Sequence, residues 1–303
     1  MPERHSSLDS RAIGTLLVCC LLWGLNQVAV KVALPEIPAL LQASARSLIG
    51  GLLVFAWARW RGVPMFNADG TLWAGLLAGA LFAAEFGAIF LGLQFTTASR
   101  MVVFLYLSPF VVALGMPFVS RSERLTPVQA TGLLLAFGGV AWAFTESFSL
   151  LSVAPRQWWG DALGVAAAVL WGATTLVIRA SRLSSASAEK TLLYQLGMSA
   201  AALAIVGVAA GEVWPASLSA LVAWSFAFQC VVVSFASYLA WFWLVRHYPA
   251  TRLASFTLLT PVFGLLLGAW LLGEPITLRL WVALATVSVG IILVNRRRPN
   301  PTA

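Results

Sequence analysis

The chain has 303 residues; 60% are hydrophobic, only 10% are charged, and the formal net charge is +8, with a mean hydropathy of +0.88. A soluble domain carries about 25% charged residues, so these few charges cannot cover a globule of this length. Composition excludes a soluble globular protein and a disordered chain, and leaves an all-α polytopic membrane protein. Its 14 Trp and 18 Phe fit apolar helices with aromatic interface anchors.

A membrane span needs about 20 apolar residues. In chain order the apolar runs predict ten spans: 12–34, 38–58, 72–93, 100–119, 126–145, 160–180, 191–211, 220–243, 253–272 and 277–294. Arg4 and Arg11 ahead of the first run resemble the start of a signal peptide, but the run is too long for one, and it reads as a retained first helix. Connections are short and marked by Pro, Gly or Arg, as in Arg61-Gly62-Val63-Pro64 and Gly273-Glu274-Pro275. The basic residues sit mostly in these connections, so they read as orientation signals and not as a nucleic-acid surface. With a cytoplasmic N-terminus, 14 Lys and Arg fall on the cytoplasmic side and five (Lys31, Arg46, Arg100, Arg156 and Arg279) on the other. That bias predicts cytoplasmic N- and C-termini. Cys19, Cys20 and Cys230 all lie inside apolar runs, read as core, and form no metal-binding or disulfide pattern.

The two halves of the chain echo each other. Leu22-Trp23-Gly24 recurs as Leu170-Trp171-Gly172, an offset of 148; Lys31 then falls on Arg179. At an offset of 152, Arg100 falls on Arg252, Leu107 on Leu259, Ser108 on Thr260 and Pro109 on Pro261. Glu123-x-x-Thr126 matches Glu274-x-x-Thr277, and Gly139 matches Gly290. The order of matches is the same in both halves, which predicts two five-helix repeats, 1–150 and 151–303, forming one membrane domain. Five is odd, so the second copy enters the membrane inverted. Inverted repeats build alternating-access transporters with the substrate near the midplane between the halves.

An early Trp-Gly, a Pro in the fourth helix, and a Glu-x-x-Thr followed by Gly in each half resemble the drug/metabolite transporter superfamily, EamA type. Within it the chain most resembles the bacterial aromatic amino-acid exporters. The resemblance implies a basket of ten helices, an inner-membrane location and export of small metabolites.

Several residues could carry transport. Pro109 and Pro261 fall at corresponding mid-span positions; each removes a helical hydrogen bond and clashes with the carbonyl four residues back, which marks a hinge or a cavity edge. Glu85 lies near the centre of the third span. A carboxylate there is costly on insertion scales, roughly 2.5–3.5 kcal/mol, so it faces a cavity or a polar partner, with Arg46 a candidate. Gly75, Gly79, Ala83 and Gly87 form a small-residue stripe suited to close helix packing, and Glu85 lies roughly opposite it. In the eighth span Ser234, Ser237, Tyr238 and Trp241 share a helical face, and Ser237 is the repeat mate of Glu85. That face reads either as a wet cavity wall or as Ser-mediated packing with an interfacial Trp. Trp23, Asn26, Tyr106, Trp171 and Thr174 carry the same two readings. Together Trp23, Asn26, Glu85, Tyr106, Trp171, Thr174, Ser237, Tyr238 and Trp241 are the candidate substrate-binding set.

No HExxH, GxSxG, Walker A or dinucleotide fingerprint occurs, and the two histidines, His5 and His247, lie in the tail and in a loop. The expectation is a secondary transporter and not an enzyme, without cofactor or metal, monomeric, surrounded by lipid and with a small molecule as its partner. It is expected to export amino acids, aromatic or other large neutral ones, across the bacterial inner membrane. The alternative is proton-coupled efflux of drugs or other small metabolites. An intramembrane enzyme would need a convergent nucleophile and base that the spans lack, and a scaffold or receptor would leave Glu85 and the paired prolines without a purpose.

Overall fold

The computed structural model describes residues 9–119, 126–149, 154–248, 257 and 259–294, and contains only helices and their connections among them. In chain order these are α1 (Ser10–Ala33), α2 (Ala39–Trp60), α3 (Leu72–Gly92), α4 (Ala98–Leu105), α5 (Ser108–Val119), α6 (Pro127–Ser149), α7 (Gln157–Ala180), a 3₁₀ turn (Arg182–Ser185), α8 (Ala188–Ala209), α9 (Ala220–Ala227), a π-helical segment (Phe228–Ser237), α10 (Tyr238–His247), α11 (Leu259–Leu272) and α12 (Leu278–Val294). Seven helical stretches, counting α4–α5 and α9–α10 as continuous spans, are long and apolar enough to cross a membrane; shorter apolar helices occupy Pro127–Ala143, Leu259–Leu272 and Leu278–Leu293.

Local sequence sets the helix starts. Asp9, Thr97, Ser187 and Ser219 each accept a hydrogen bond from a backbone N–H in the first turn of the helix that follows, the ordinary N-cap. α2 follows Pro38 and has no such cap of its own. Glu212 supplies one from afar, accepting from Leu40 N (3.2 Å) and Leu41 N (2.8 Å). Gly211 makes this possible. At φ 81° it ends α8 in a left-handed turn, Glu212 N donates back to Gly207 O at 2.9 Å, and the carboxylate swings across to α2.

Gly273 repeats the device at φ 65°. Glu274 N donates to Gly268 O at 3.3 Å, and the Glu274 carboxylate caps α4, accepting from Ala98 N (2.7 Å), Ser99 N (2.9 Å) and Ser99 Oγ (2.7 Å).

Packing follows the small residues. The stripe on α3 meets α8: a Cβ on Gly75 would strike the Tyr194 ring, one on Gly79 would lie 2.5 Å from Tyr194 O, and Gly87 faces Leu203. Gly24 of α1 seats against Gly264 of α11, where a Cβ would sit 2.7 Å from the Gly264 nitrogen. Its echo Gly172 seats against Val111 of α5 at 2.6 Å by the same construction. Without a hydrophobic drive between helices in lipid, such close approach is what holds them together. All three cysteines are buried.

The span carrying Pro109 differs from the expected mid-helix kink. α4 ends at Leu105, Tyr106 N and Leu107 N close tight turns onto Val103 O (3.2 Å) and Phe104 O (3.0 Å), and α5 restarts at Ser108. Pro109 therefore occupies the first turn of a new helix, where its missing N–H costs nothing. Pro261 is the third residue of α11; of the chain before it, residues 249–256 and 258 lie outside the described residues, as do Arg121, Glu123, Arg124, Arg252 and Arg296–Arg298.

One connection titrates. Lys190 Nζ donates to Asp69 Oδ2 (2.8 Å), and Thr71 Oγ1 donates to Asp69 Oδ1 (2.6 Å). Lys190 first, and Thr71 second, hold the Asp69 carboxyl down to about 2. A depressed folded value means the contribution is full above the unfolded value, about 3.9, and fades as pH falls toward 2. The thermal stability gap between wild type and Asp69→Asn is thus expected to stay constant from pH 7 to about 4 and to close below that. A gap that does not change with pH would exclude this linkage.

Candidate transport site

Most of the candidate residues fall in two groups, one meeting α1 at Trp23 and the other near Cys20; Asn26 and Thr174 join neither. At the first, Trp23 Nε1 donates to Ser237 Oγ at 2.9 Å, and its ring meets that of Trp241 edge-on, with centroids 5.4 Å apart. Cys19, one turn earlier, lies 4.0 Å from Ser237 O. The next residue, Tyr238, accepts at its hydroxyl from Arg46 Nη2 at 3.1 Å. Arg46 lies over the Phe86 ring at 4.5 Å, with Phe90 at 6.0 Å. Glu85 precedes Phe86 in α3 and is buried. Tyr238, and Glu85 beside Phe86, thus come next to Arg46, while Trp23, Ser237 and Trp241 form a contact of their own one residue along the chain.

At the second place, Tyr106 and Trp171 meet edge-to-face at 6.3 Å. The Tyr106 hydroxyl neighbours Thr260 and Thr257, and Cys20 neighbours Thr260. Trp171 is 39% exposed, whereas Tyr106 is buried. Asn26 is buried with its Oδ1 unpartnered. Thr174 is buried too, but its hydroxyl donates to Leu170 O one turn back in α7, the usual way a helical Thr satisfies itself.

Two features of this region were not read from the sequence. The first is the π-helical segment. Ser234 Oγ donates to Gln229 O, five residues back, at 3.0 Å, and Ser237 Oγ to Val233 O at 2.7 Å. The polar face of the eighth span therefore passes through a widened turn, a geometry that recurs at functional sites, and its α-helical register holds only from Tyr238 onward. The second is a glutamine pair. Gln42 Nε2 donates to Gln229 Oε1 (3.2 Å), and Gln229 Nε2 to Ala29 O (3.1 Å), both side chains fully buried. A glutamine inside each of two apolar runs was the available signal.

From the sequence Arg46 is a candidate partner for Glu85 and one of the topogenic charges. It lies two turns inside α2 and is 1% exposed, so it is a buried helix residue and not a loop charge. No hydrogen bond or ion pair joins it to Glu85: Glu85 Oε2, Arg46 Nε and Arg46 Nη1 are buried without partners.

At one end of the bundle the polar groups are instead fully engaged. Arg100 bonds Asp161 (Nη2–Oδ2, 2.6 Å) and Glu146 (Nη1–Oε2, 2.8 Å), and donates to Ala143 O at 2.8 Å. Asp161 also accepts from Thr96 Oγ1 at 2.6 Å. Lys31 Nζ donates to Thr96 O and lies 3.7 Å from Glu274.

A family model, the EamA-like transporter family, matches residues 10–145 and again 158–296. The chain belongs to the EamA-like transporter family. Among its relatives, the uncharacterized transporter YvbV of Bacillus subtilis is 29% identical over 91% of this chain and 89% of its own. Uncharacterized transporter sll0355 of Synechocystis is 28% identical over 97% and 93%. The uncharacterized inner membrane transporter YedA of Escherichia coli K12 is 24% identical over 93% and 90%. A protein of known crystal structure shares the fold with a TM-score of 0.66 at 22% identity, covering 94% of this chain and 96% of that one. This EamA-like protein is therefore a multi-pass membrane transporter. The superfamily resemblance read from the Trp-Gly, Pro and Glu-x-x-Thr pattern holds.

Proposed function

We propose that this transporter exports amino acids, aromatic or other large neutral ones, across the bacterial inner membrane by alternating access between two inverted five-helix halves, 1–150 and 151–303, with both termini cytoplasmic. The observation that carries the substrate class is a pair of unneutralised buried groups, Arg46 and Glu85, beside the aromatic side chains of Phe86 and Tyr238, with the Trp23–Trp241 pair adjoining at Ser237. Apolar walls with a few convergent polar groups suit a small, partly apolar ligand.

Two facts support the inverted halves. Ser47 and Ser199 share a hydrogen bond at 3.0 Å and stand 152 positions apart, so a residue touches its own repeat mate, as a residue beside a pseudo-twofold axis must. The packing also maps onto itself when the halves exchange. α1 lies on α11 as α7 lies on α4 and α5; α1 touches the ninth helix, the π segment and α10 as α7 touches α3; α2 lies on α8, and α6 on α12. Under this orientation the Arg100–Asp161–Glu274 end is periplasmic, and with Arg46 moved from the loops to the site, the basic bias sharpens.

Counterflow of labelled L-tryptophan, L-phenylalanine and L-leucine in proteoliposomes tests the reading directly. Tyr238→Ala and Trp171→Ala are expected to weaken transport by roughly 1–3 kcal/mol, the loss of an aromatic contact to bound substrate, without loss of folded protein. Absence of flux for every neutral amino acid above empty liposomes sinks the proposal.

A second reading has its own support: Glu85 is a deeply buried carboxylate with an unpartnered oxygen, the kind of group that exchanges a proton for a cationic drug. It expects Glu85→Gln to abolish drug resistance while neutral amino-acid flux stays absent.

A further inference from the structure

Among the described residues most buried charge is neutralised. Arg100 has closed on Asp161 and Glu146, Lys190 on Asp69, and Glu274 on the start of α4. Arg46 and Glu85 have not. Arg46 is 1% exposed and Glu85 5%, yet two of the three guanidinium nitrogens and Glu85 Oε2 lack any partner. Other contacts hold the guanidinium: Arg46 Nη2 donates to Tyr238 Oη at 3.1 Å, and the guanidinium carbon lies 4.5 Å from the centre of the Phe86 ring. Unsatisfied charge buried at this depth costs free energy, and ligand groups that complete it gain what the fold forgoes.

We propose that Arg46 and Glu85 are the two charged poles of the transport site, Arg46 taking the α-carboxylate and Glu85 the α-ammonium of a zwitterionic amino acid. This rests on the amino-acid reading above and names the groups that recognise the backbone common to all amino acids. A guanidinium matches a carboxylate through several N–H donors; a carboxylate takes an ammonium by charge-assisted bonds. A zwitterion brings both missing charges and adds no net charge to the buried site. A simple cation would leave Arg46 bare, and a simple anion would leave Glu85 bare. Trp241, one turn beyond Tyr238 on α10, and Trp23 of α1, which bonds Ser237, are the wall assigned to the side chain.

The test is equilibrium binding to the full-length transporter in lipid nanodiscs. The probes are L-tryptophan, L-phenylalanine, L-leucine, tryptamine (no carboxylate) and indole-3-propionate (no amine). L-Tryptophan should bind roughly ten- to a hundredfold more tightly than either analogue, the worth of one charge-assisted bond. Arg46→Gln should reduce L-tryptophan to the tryptamine level and leave tryptamine unchanged. Glu85→Gln should reduce L-tryptophan and leave indole-3-propionate unchanged, and Arg46→Lys should recover part of the loss. Wild-type affinity in Arg46→Gln overturns the assignment. So does equal binding of L-tryptophan and both analogues by the unmutated protein, a result that needs no variant to fold. If L-tryptophan is bound and transported but the analogues compete equally, the export reading stands and this assignment alone falls. If no amino acid in the panel binds, the export reading falls and takes the assignment with it.

Discussion

Arg100→Gln is expected to cost the fold roughly 3–5 kcal/mol, whereas Arg46→Gln is expected to cost close to nothing. Both arginines are nearly fully buried, so burial does not separate them; their partners do. Removing the Arg100 guanidinium strands Asp161, which is 0% exposed, and takes the bond from Glu146. An uncompensated buried charge accounts for a loss of that size. At Arg46 no carboxylate is stranded in contact. The variant loses one bond to Tyr238 and a contact with the Phe86 ring, worth about 1–3 kcal/mol and up to about 2 kcal/mol. It also removes a charge whose desolvation costs several kcal/mol, and the opposed terms are of similar size. Thermal unfolding in detergent should show a drop on the order of 10 °C for Arg100→Gln and little change for Arg46→Gln. Equal drops would make Arg46 a structural residue and remove the reason to place substrate there.

Much of this was legible in the sequence. Apolar runs of span length are a one-dimensional signal, because lipid requires each helix to satisfy its own backbone, and the Gly75–Gly79–Ala83–Gly87 stripe announced a close helix contact, though not that α8 makes it. The Trp-Gly and Pro echoes gave the family. What the sequence could not give was which polar groups meet. Arg46 and Tyr238 are 192 positions apart, Gln42 and Gln229 are 187, and an apolar background gives no pairing rule. The local break at Tyr106–Leu107 was masked by Pro109, the residue that usually causes one and here merely tolerates it. The π turn had no signal, because its residues suit an α-helix equally well. The Gly211-Glu212 and Gly273-Glu274 caps were visible as helix ends, but a carboxylate reaching a different helix is a tertiary event.

The second of those caps leads to the other large effect. Glu274 joins the α11–α12 connection to the start of α4 through Ala98 N, Ser99 N and Ser99 Oγ, with Lys31 of α1 alongside. In the proposed cycle these bonds form when the periplasmic end is closed and break when it opens. Glu274→Ala is therefore expected to act on the ratio of the two facing states and not chiefly on folding. Losing a charge-assisted helix cap of this kind is worth about 3 kcal/mol, which is about a hundredfold in that ratio, toward the outward-open state. Gln keeps one acceptor but loses the charge that attracts Lys31, so Glu274→Gln should fall between wild type and Ala.

Val102, 2% exposed, packs where a Cβ on Gly264 of α11 would touch it, so it is uncovered only if α4 and α11 part. A single cysteine at Val102, with Cys19, Cys20 and Cys230 replaced, should react slowly with a polar maleimide in the Glu274 background and much faster in Glu274→Ala. If Glu274 is only a structural cap, the melting temperature falls while the Val102 site stays protected. That outcome would detach the sealed end of this bundle from the transport cycle, because a gate whose bonds can be cut without opening it is not a gate.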